Sequence, residues 1–299
     1  MLLAGVATSG WWPAGQVGAF DLSSSSVPQE EIVSGGPPKD GIPALTDPEV
    51  VSAEGATYLR PDDRVLGVAV GQQARAYPIR ILNWHEVVND RVWGVPITVT
   101  YCPLCGTGMV FRARRKGKRV VFGVSGLLYN SDVLLYDQET ESLWSQLKME
   151  AVTGPRLGER LEWLPVQHMS WAAWRDAHPD TEALSLNTGY RREYDRDPYA
   201  GYAAIPALMF SVRHQDGRLP SKAWVAGVLI NGEAKAYPLT RLPPDVVVED
   251  TVGGQVIRVR YEAEADSVEI TDAARNLIPY VEAYWFAWAA FYPETQLYE

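Results

Sequence analysis

Leu66-Gly-Val-Ala-Val-Gly-Gln-Gln-Ala-Arg-Ala-Tyr-Pro78 is matched by Ala226-Gly-Val-Leu-Ile-Asn-Gly-Glu-Ala-Lys-Ala-Tyr-Pro238. The correspondence runs without a gap from 66–101 to 226–261, and fifteen of the thirty-six positions are identical. They include Gly67 and Gly227, Asp90 and Asp250, and Tyr101 and Tyr261. Two strand-rich segments can match by chance, but the missing gaps and the shared Ala-Tyr-Pro argue for an internal duplication. Val65–Val70 and Gln73–Pro78 read as two strands around a Gly71-Gln72 turn. Further on, Trp171-Ala-Ala-Trp174 aligns with Trp285-Phe-Ala-Trp288, with Pro179/Pro293 and Thr181/Thr295 in register. The offset there is 114, so 160 − 114 = 46 residues are absent from the second copy, most of them between Met109 and Gln146. Ser170 reads as the N-cap of a helix that His178-Pro179 stops.

These patterns predict an α+β fold, predominantly β. It is an internal duplication of a small β-barrel- or sandwich-like unit, the first copy carrying an inserted hairpin region. Residues 1–36, rich in Gly, Ser and Pro, read as a flexible tail or signal remnant. Residues 37–190 form the first unit, with the site, and 191–299 the second, shortened one.

Composition narrows the function. The chain has 299 residues, 46% hydrophobic and 21% charged, which is globular. A net charge of −10 argues against nucleic acid, whose phosphates need a basic surface. The one basic cluster, Arg112–Arg119, reads as a solvated hairpin turn bent at Gly117. No apolar run reaches the roughly 18 residues of a membrane span. Met1–Ala7 resembles the end of a secretory apolar region, although the first basic residue is Lys39. Oligomeric state is not legible.

The chemistry concentrates at Ile97-Thr-Val-Thr-Tyr-Cys-Pro-Leu-Cys-Gly106, an alternating strand that delivers the only two cysteines. In the second copy Cys102-Pro-Leu-Cys105 becomes Glu262-Ala-Glu-Ala265, and Trp84-His85-Glu86 becomes Pro244-Asp245-Val246. Positions that change while the scaffold persists point to chemistry rather than folding. Cys-Pro-x-Cys-Gly resembles a rubredoxin or zinc-ribbon knuckle, but one knuckle supplies two of the usual four ligands. His85 is the expected third metal ligand beside Cys102 and Cys105, with Glu86 orienting it or acting as a base. Met109 is a weak further candidate, while His168, His178 and His214 read as ordinary polar or helix-end residues.

The leading expectation is a metal-binding protein with one transition metal ion, copper or zinc first and iron next. In its stronger form it is a metal-dependent oxidoreductase acting on a small molecule. The catalytic set is Cys102, Cys105, His85 and Glu86, and Trp84, Ser125, Tyr129, Asn130, Trp144 and Gln146 line the pocket. Alternatives are a dithiol-disulfide oxidoreductase using Cys102 and Cys105, an activated cysteine nucleophile, and a non-catalytic metal carrier exchanging its ion with a donor or acceptor. Lys39-Asp40 is a further group that could reach the site.

Several longer motifs resemble a bacterial and archaeal family catalogued as domain of unknown function 3179. They are Gly35–Pro43, Ala76-Tyr-Pro78, Trp84-His-Glu86, Tyr101–Gly106, Ser125–Asn130, Thr140–Gln146, Val152-Thr-Gly-Pro155 and the Trp-x-x-Trp before His178-Pro179. The resemblance covers nearly all of the chain from residue 35. It implies no established activity. Members often look exported, so it implies a periplasmic or extracellular protein; a cytoplasmic one remains the alternative.

Overall fold

In the computed structural model, which describes residues 16–17 and 20–299, the strands form seven sheets, two of them two-stranded and the other five arranged as a five-bladed β-propeller. Blade 1 is built on the hairpin Arg64–Val70 and Gln73–Pro78, flanked by Gln167–Ser170 on one side and by Glu182–Leu184 and Val50–Ser52 on the other. Blade 2 holds Leu45–Thr46, Val87–Val92, Val95–Cys102, Thr107–Arg112 and Glu162–Leu164. Blade 3 holds Ile32–Ser34, Phe122–Tyr129, Asp132–Asp137, Leu143–Ser145 and Glu150–Ala151. Blade 4 is Val281–Tyr284, Trp224–Ile230, Glu233–Pro238 and Gln296–Leu297; blade 5 is Val247–Val252, Gln255–Glu262 and Ser267–Asp272.

The barrel- or sandwich-like unit is therefore corrected. Alternation and turn residues specify hairpins, but they do not say whether successive hairpins wrap on one another or stand side by side round an axis. Residues 66–101 supply the hairpins of blades 1 and 2, and 226–261 those of blades 4 and 5, in the same pairing register: Leu66 faces Tyr77 as Ala226 faces Tyr237. The expected inserted hairpin is larger: Thr107–Arg112 has its counterpart in Ser267–Asp272, and what the second copy lacks is the blade 3 strands from Phe122 to Ala151 and the edge strand Glu162–Leu164 of blade 2. The division at residue 190 does not separate two bodies, because blade 5 closes on blade 1. The Ser170 amide donates to the Ala265 carbonyl at 3.2 Å, and Arg64 of blade 1 reaches Asp266 beside blade 5 and Glu282 of blade 4, each at 3.1 Å.

The tail reading is corrected for residues 20–36. Phe20, Leu22, Val27 and Ile32 are buried against Leu127, Tyr129 and Leu134 of blade 3. Residues 20–52 run along three blades and give each a short strand: 32–34 to blade 3, 45–46 to blade 2 and 50–52 to blade 1. Residues 1–15, where the secretory reading falls, lie outside the described residues. The basic cluster is a hairpin turn as expected. Arg114–Arg115 pairs with Lys118–Arg119, and both loop residues, Lys116 and Gly117, have positive φ.

Three seven-residue helices cap the blades: α1 (Ile79–His85), α2 (Trp171–Ala177) and α3 (Trp285–Phe291). The Ser170 hydroxyl accepts the Ala173 amide at the start of α2, the expected N-cap. The repeated motifs now have a packing reason. A Cβ on Gly67 would lie 2.2 Å from the Trp174 ring, and one on Gly227 would lie 2.4 Å from Trp288. Each indole N–H then donates to a threonine hydroxyl, Thr181 or Thr295, at 2.8 Å. No helix among the described residues is long and apolar enough to cross a membrane.

A second recurring unit locks neighbouring blades. Asp90 of blade 2 accepts from Arg75 and from the Tyr77 hydroxyl of blade 1, both at 2.7 Å, and Asp250 accepts from Lys235 and Tyr237 at 2.7 and 2.8 Å. Asp90 is the more deeply buried, its side chain 5% exposed against 20% for Asp250. Removing one partner of a buried pair leaves the other desolvated and unpaired. We expect Asp90→Ala to cost about 3–5 kcal/mol in denaturant unfolding, and Asp250→Ala clearly less. Equal losses would show that the seam does not depend on the buried pair.

Candidate functional site

The site lies where blades 2, 3 and 4 meet. Cys102 ends the strand Val95–Cys102, and the chain turns within four residues, the Cys105 amide donating to the Cys102 carbonyl at 3.2 Å. Gly106 has φ +69°, and a Cβ there would lie 2.4 Å from Trp224. The Tyr284 amide of blade 4 donates to the Cys105 carbonyl at 2.8 Å, which pins the loop from a second side.

Blade 3 contributes the tip of its hairpin. Tyr129 pairs with Asp132, so Asn130 and Ser131 form a two-residue loop, with φ 50° and 66°. Positive φ at both positions is the type I′ geometry that suits a hairpin's twist; Asn adopts it readily, whereas Ser does so at some cost. The turn aims the Ser131 carbonyl at both thiols, 3.3 Å from Cys105 Sγ and 3.8 Å from Cys102 Sγ. It also places Asp132 among them. One ligand atom each of Cys102, Cys105 and Asp132 lies within 4.8 Å of the others, and all three residues are buried. The thiols are free.

The carboxylate is held from behind. Leu147 N–H donates to Asp132 Oδ2 at 3.1 Å, and Thr107 Oγ1 lies 3.4 Å from Oδ1. Thr107 donates to Gln146 Oε1 at 2.6 Å, and Gln146 Nε2 donates to Thr100 Oγ1 at 2.8 Å and to the Thr107 carbonyl at 3.2 Å. Glu86 approaches from α1. It occupies the helix C-cap with φ 56°, its amide bonded to the Leu82 carbonyl and its own carbonyl accepting from Tyr101 N–H. In blade 5 the corresponding stretch holds only a three-residue 3₁₀ turn, Leu239–Arg241, because Pro243 and Pro244 cannot continue a helix.

The electrostatics are those of acids buried together. Burial raises the Glu86 carboxyl to about 8, and the nearby Asp132 adds to it. Burial raises Asp132 to about 7 against the Leu147 and Val133 amides that favour its anion. Burial raises both thiols, Cys105 well above the usual thiol range. None of the ion pairs among the described residues includes Glu86 or Asp132. Ser131 Oγ is fully buried and has no partner.

The structure does not bring His85 to the sulfurs, which corrects the expected third ligand. Nδ1 sits 2.7 Å from the Pro43 carbonyl and so carries the proton, and Nε2 accepts from the Tyr194 hydroxyl at 2.6 Å. Trp84 likewise faces away, donating to the Arg196 carbonyl at 3.2 Å. Ser125 pins a bulge by accepting the Leu127 amide, Tyr129 packs edge-on against Phe291, and Trp144 donates to Asp137 at 2.9 Å. Asn130 accepts from Arg213 N–H, Met109 is apolar core, and Lys39 and Asp40 pair with Glu141 and Tyr136. The cysteines, Glu86 and Gln146 are thus gathered, and Asp132 joins them. Most of the Ser125–Asn130 motif belongs to the strand Phe122–Tyr129. A two-residue turn between alternating runs, followed by an acid at the head of Val133-Leu-Leu, was the signal for Asp132.

Residues 39–277 match the family described as Protein of unknown function (DUF3179). The chain belongs to that family. No curated protein and no solved structure matches it. The matched range contains Glu86, Cys102, Cys105 and Asp132, so the whole cluster lies within the part that defines this DUF3179 member.

His85 gives this region a pH signature. Burial holds its ring down to about 4, against about 6.5 when exposed. The unfolded chain therefore binds the extra proton first. The stability of neutral His85 is complete above about pH 6.5 and is lost as pH falls towards 4, on the order of 3 kcal/mol for a shift of this size. We expect urea midpoints to drop over that window and His85→Gln to be less stable at pH 7 with a shallower drop. An unchanged slope would show that His85 does not titrate there.

Proposed function

We propose that the chain binds one transition metal ion through Cys102, Cys105 and Asp132, with Glu86 beside them. The observation that carries this reading is the convergence of two sulfurs and a carboxylate oxygen, all buried, within 4.8 Å. Four acidic side chains shut away from water are costly as anions unless a cation joins them. A divalent ion supplies that charge, and it favours the thiolate and carboxylate forms that burial alone opposes. The spread of donor atoms suits first-row coordination after small side-chain adjustments. The buried Ser131 hydroxyl is a polar group still needing a partner.

The donor set also bears on the metal. Copper(I) favours soft thiolates alone, whereas two thiolates with carboxylate oxygen suit zinc or iron better. Three protein ligands leave a position for water or a substrate atom, as in catalytic rather than closed structural sites. With zinc the site would supply Lewis-acid chemistry, and with iron electron transfer. The dithiol reading has less support, since a redox thiol needs a lowered pKa and access to its partner. A carrier would want exposed sulfurs. Two thiols committed to a metal would also resist disulfide closure in the exported protein that the family resemblance implies.

Elemental analysis of protein purified without chelator and under reduction tests the proposal. We expect about one equivalent of zinc or iron, lost in Cys102→Ser and Cys105→Ser, weakened about 10-fold or more in Asp132→Asn, and retained in His85→Gln. Wild-type protein that takes up no metal, even after anaerobic reconstitution, would refute it.

A further inference from the structure

Residues 44–49, passing from blade 2 to blade 1, enclose with Gln138 and residues 187–190 an open, mainly polar cleft of about 720 Å³. That volume is in the range of small-molecule sites. Three stretches far apart in the chain build it, and none of its lining residues belongs to the cysteine cluster.

The one aromatic ring in the wall is Tyr190, which is 45% exposed. It rests on the buried imidazole of His85, their ring centroids 5.5 Å apart. A ring braced from behind and open to water offers a flat apolar face among polar groups.

The polar groups around it are set in advance. Glu49 Oε1 accepts from the Ser185 hydroxyl at 3.1 Å, and Oε2 accepts from Asn187 Nδ2 at 2.8 Å. A carboxylate has about four lone-pair sites, so each oxygen can accept once more. Asp47 Oδ2 accepts from Arg119 at 2.8 Å, which balances its charge. Thr188 is oriented from below. His85 Nδ1–H points at the Pro43 carbonyl, so Nε2 takes the Tyr194 proton, and the Tyr194 oxygen in turn accepts from the Thr188 hydroxyl at 2.6 Å. With its proton directed inward and one lone pair on the Tyr190 amide at 3.3 Å, Thr188 has only a lone pair left to offer. Glu49, Asp47 and Thr188 are thus acceptors, while the side-chain amides of Gln138 and Asn187 supply donors.

This wall suits a ligand rich in hydroxyls, each of which donates and accepts, with a flat apolar patch and no negative charge. We propose that the cleft binds a neutral saccharide, a pyranose ring lying on Tyr190 and its hydroxyls shared between the carboxylates of Glu49 and Asp47, Thr188 and the two amides. The inference is independent of the metal reading.

The test uses the full chain and the methyl glycosides of glucose, galactose, mannose and N-acetylglucosamine, followed by ligand-observed NMR at millimolar concentrations, with tetramethylammonium as the competing probe. We expect at least one glycoside to bind wild type. Tyr190→Ala and Glu49→Gln should each weaken that binding about tenfold while keeping the wild-type urea midpoint, since both side chains are exposed. Cys102→Ser should bind as wild type does, whether or not the protein holds metal. Failure of all four glycosides to bind folded wild type, or binding that survives Tyr190→Ala unchanged, would overturn the assignment. Binding of tetramethylammonium in place of the glycosides would make the cleft a cation site and overturn it equally.

Discussion

A tryptophan ring pressed against a residue with no side chain is the contact on which the rest of this molecule depends. Trp174 lies on Gly67 and Trp288 on Gly227, each so closely that any Cβ would collide with the ring. Each ring is carried by a helix of only seven residues, too short to be stable unaided, so tertiary packing must hold it. The threonine that takes each indole N–H fixes the ring's rotation as well as its depth. On the second occasion the consequence reaches the site. α3 follows directly on Val281–Tyr284, the strand whose last amide holds the cysteine loop.

The site is an example of chemistry placed on turns by a rigid frame. The loop between two strands of blade 2, the hairpin tip of blade 3 and the end of a helix each present one or two groups. None of these segments could define the geometry alone. Ser131 and Glu86 hold positive φ without being glycine, and backbone of that kind persists only where its surroundings impose it. Behind Asp132 the Thr107–Gln146–Thr100 chain satisfies buried polar atoms in sequence, which fixes the carboxylate's position before any ligand arrives.

The sequence was most informative where local chemistry is decisive. The Gly71-Gln72 turn, the Ser170 cap, the hairpin at Gly117 and the pairing of Cys102 with Cys105 all follow from short-range rules. Comparing the two related segments also singled out Glu86 and the cysteines, because their counterparts had changed. Propeller closure was not legible, since it depends on how sheets pack across distances that no hairpin signal encodes. The histidine was misplaced for a related reason. His85 precedes Glu86 by one residue at a helix end, so the two side chains leave in different directions, one to Tyr194 and Pro43 and the other towards the thiols. Asp132 stands thirty residues from Cys102 in the chain and meets it only because blade 3 stands beside blade 2.

The strap formed by residues 20–52 has a bearing on how the chain folds. It gives its short strands to blades 3, 2 and 1 in that order, the reverse of their order in the chain. A chain made from its N-terminus therefore holds this segment before any of its partners exist. The first partner to appear is Val87–Val92, which takes Leu45–Thr46; Ile32–Ser34 then waits for Leu127–Tyr129, and Val50–Ser52 for Glu182–Leu184. Folding thus begins with hairpins, and the belt round them is completed only when Glu182–Leu184 arrives to close blade 1, long after the strap itself was made.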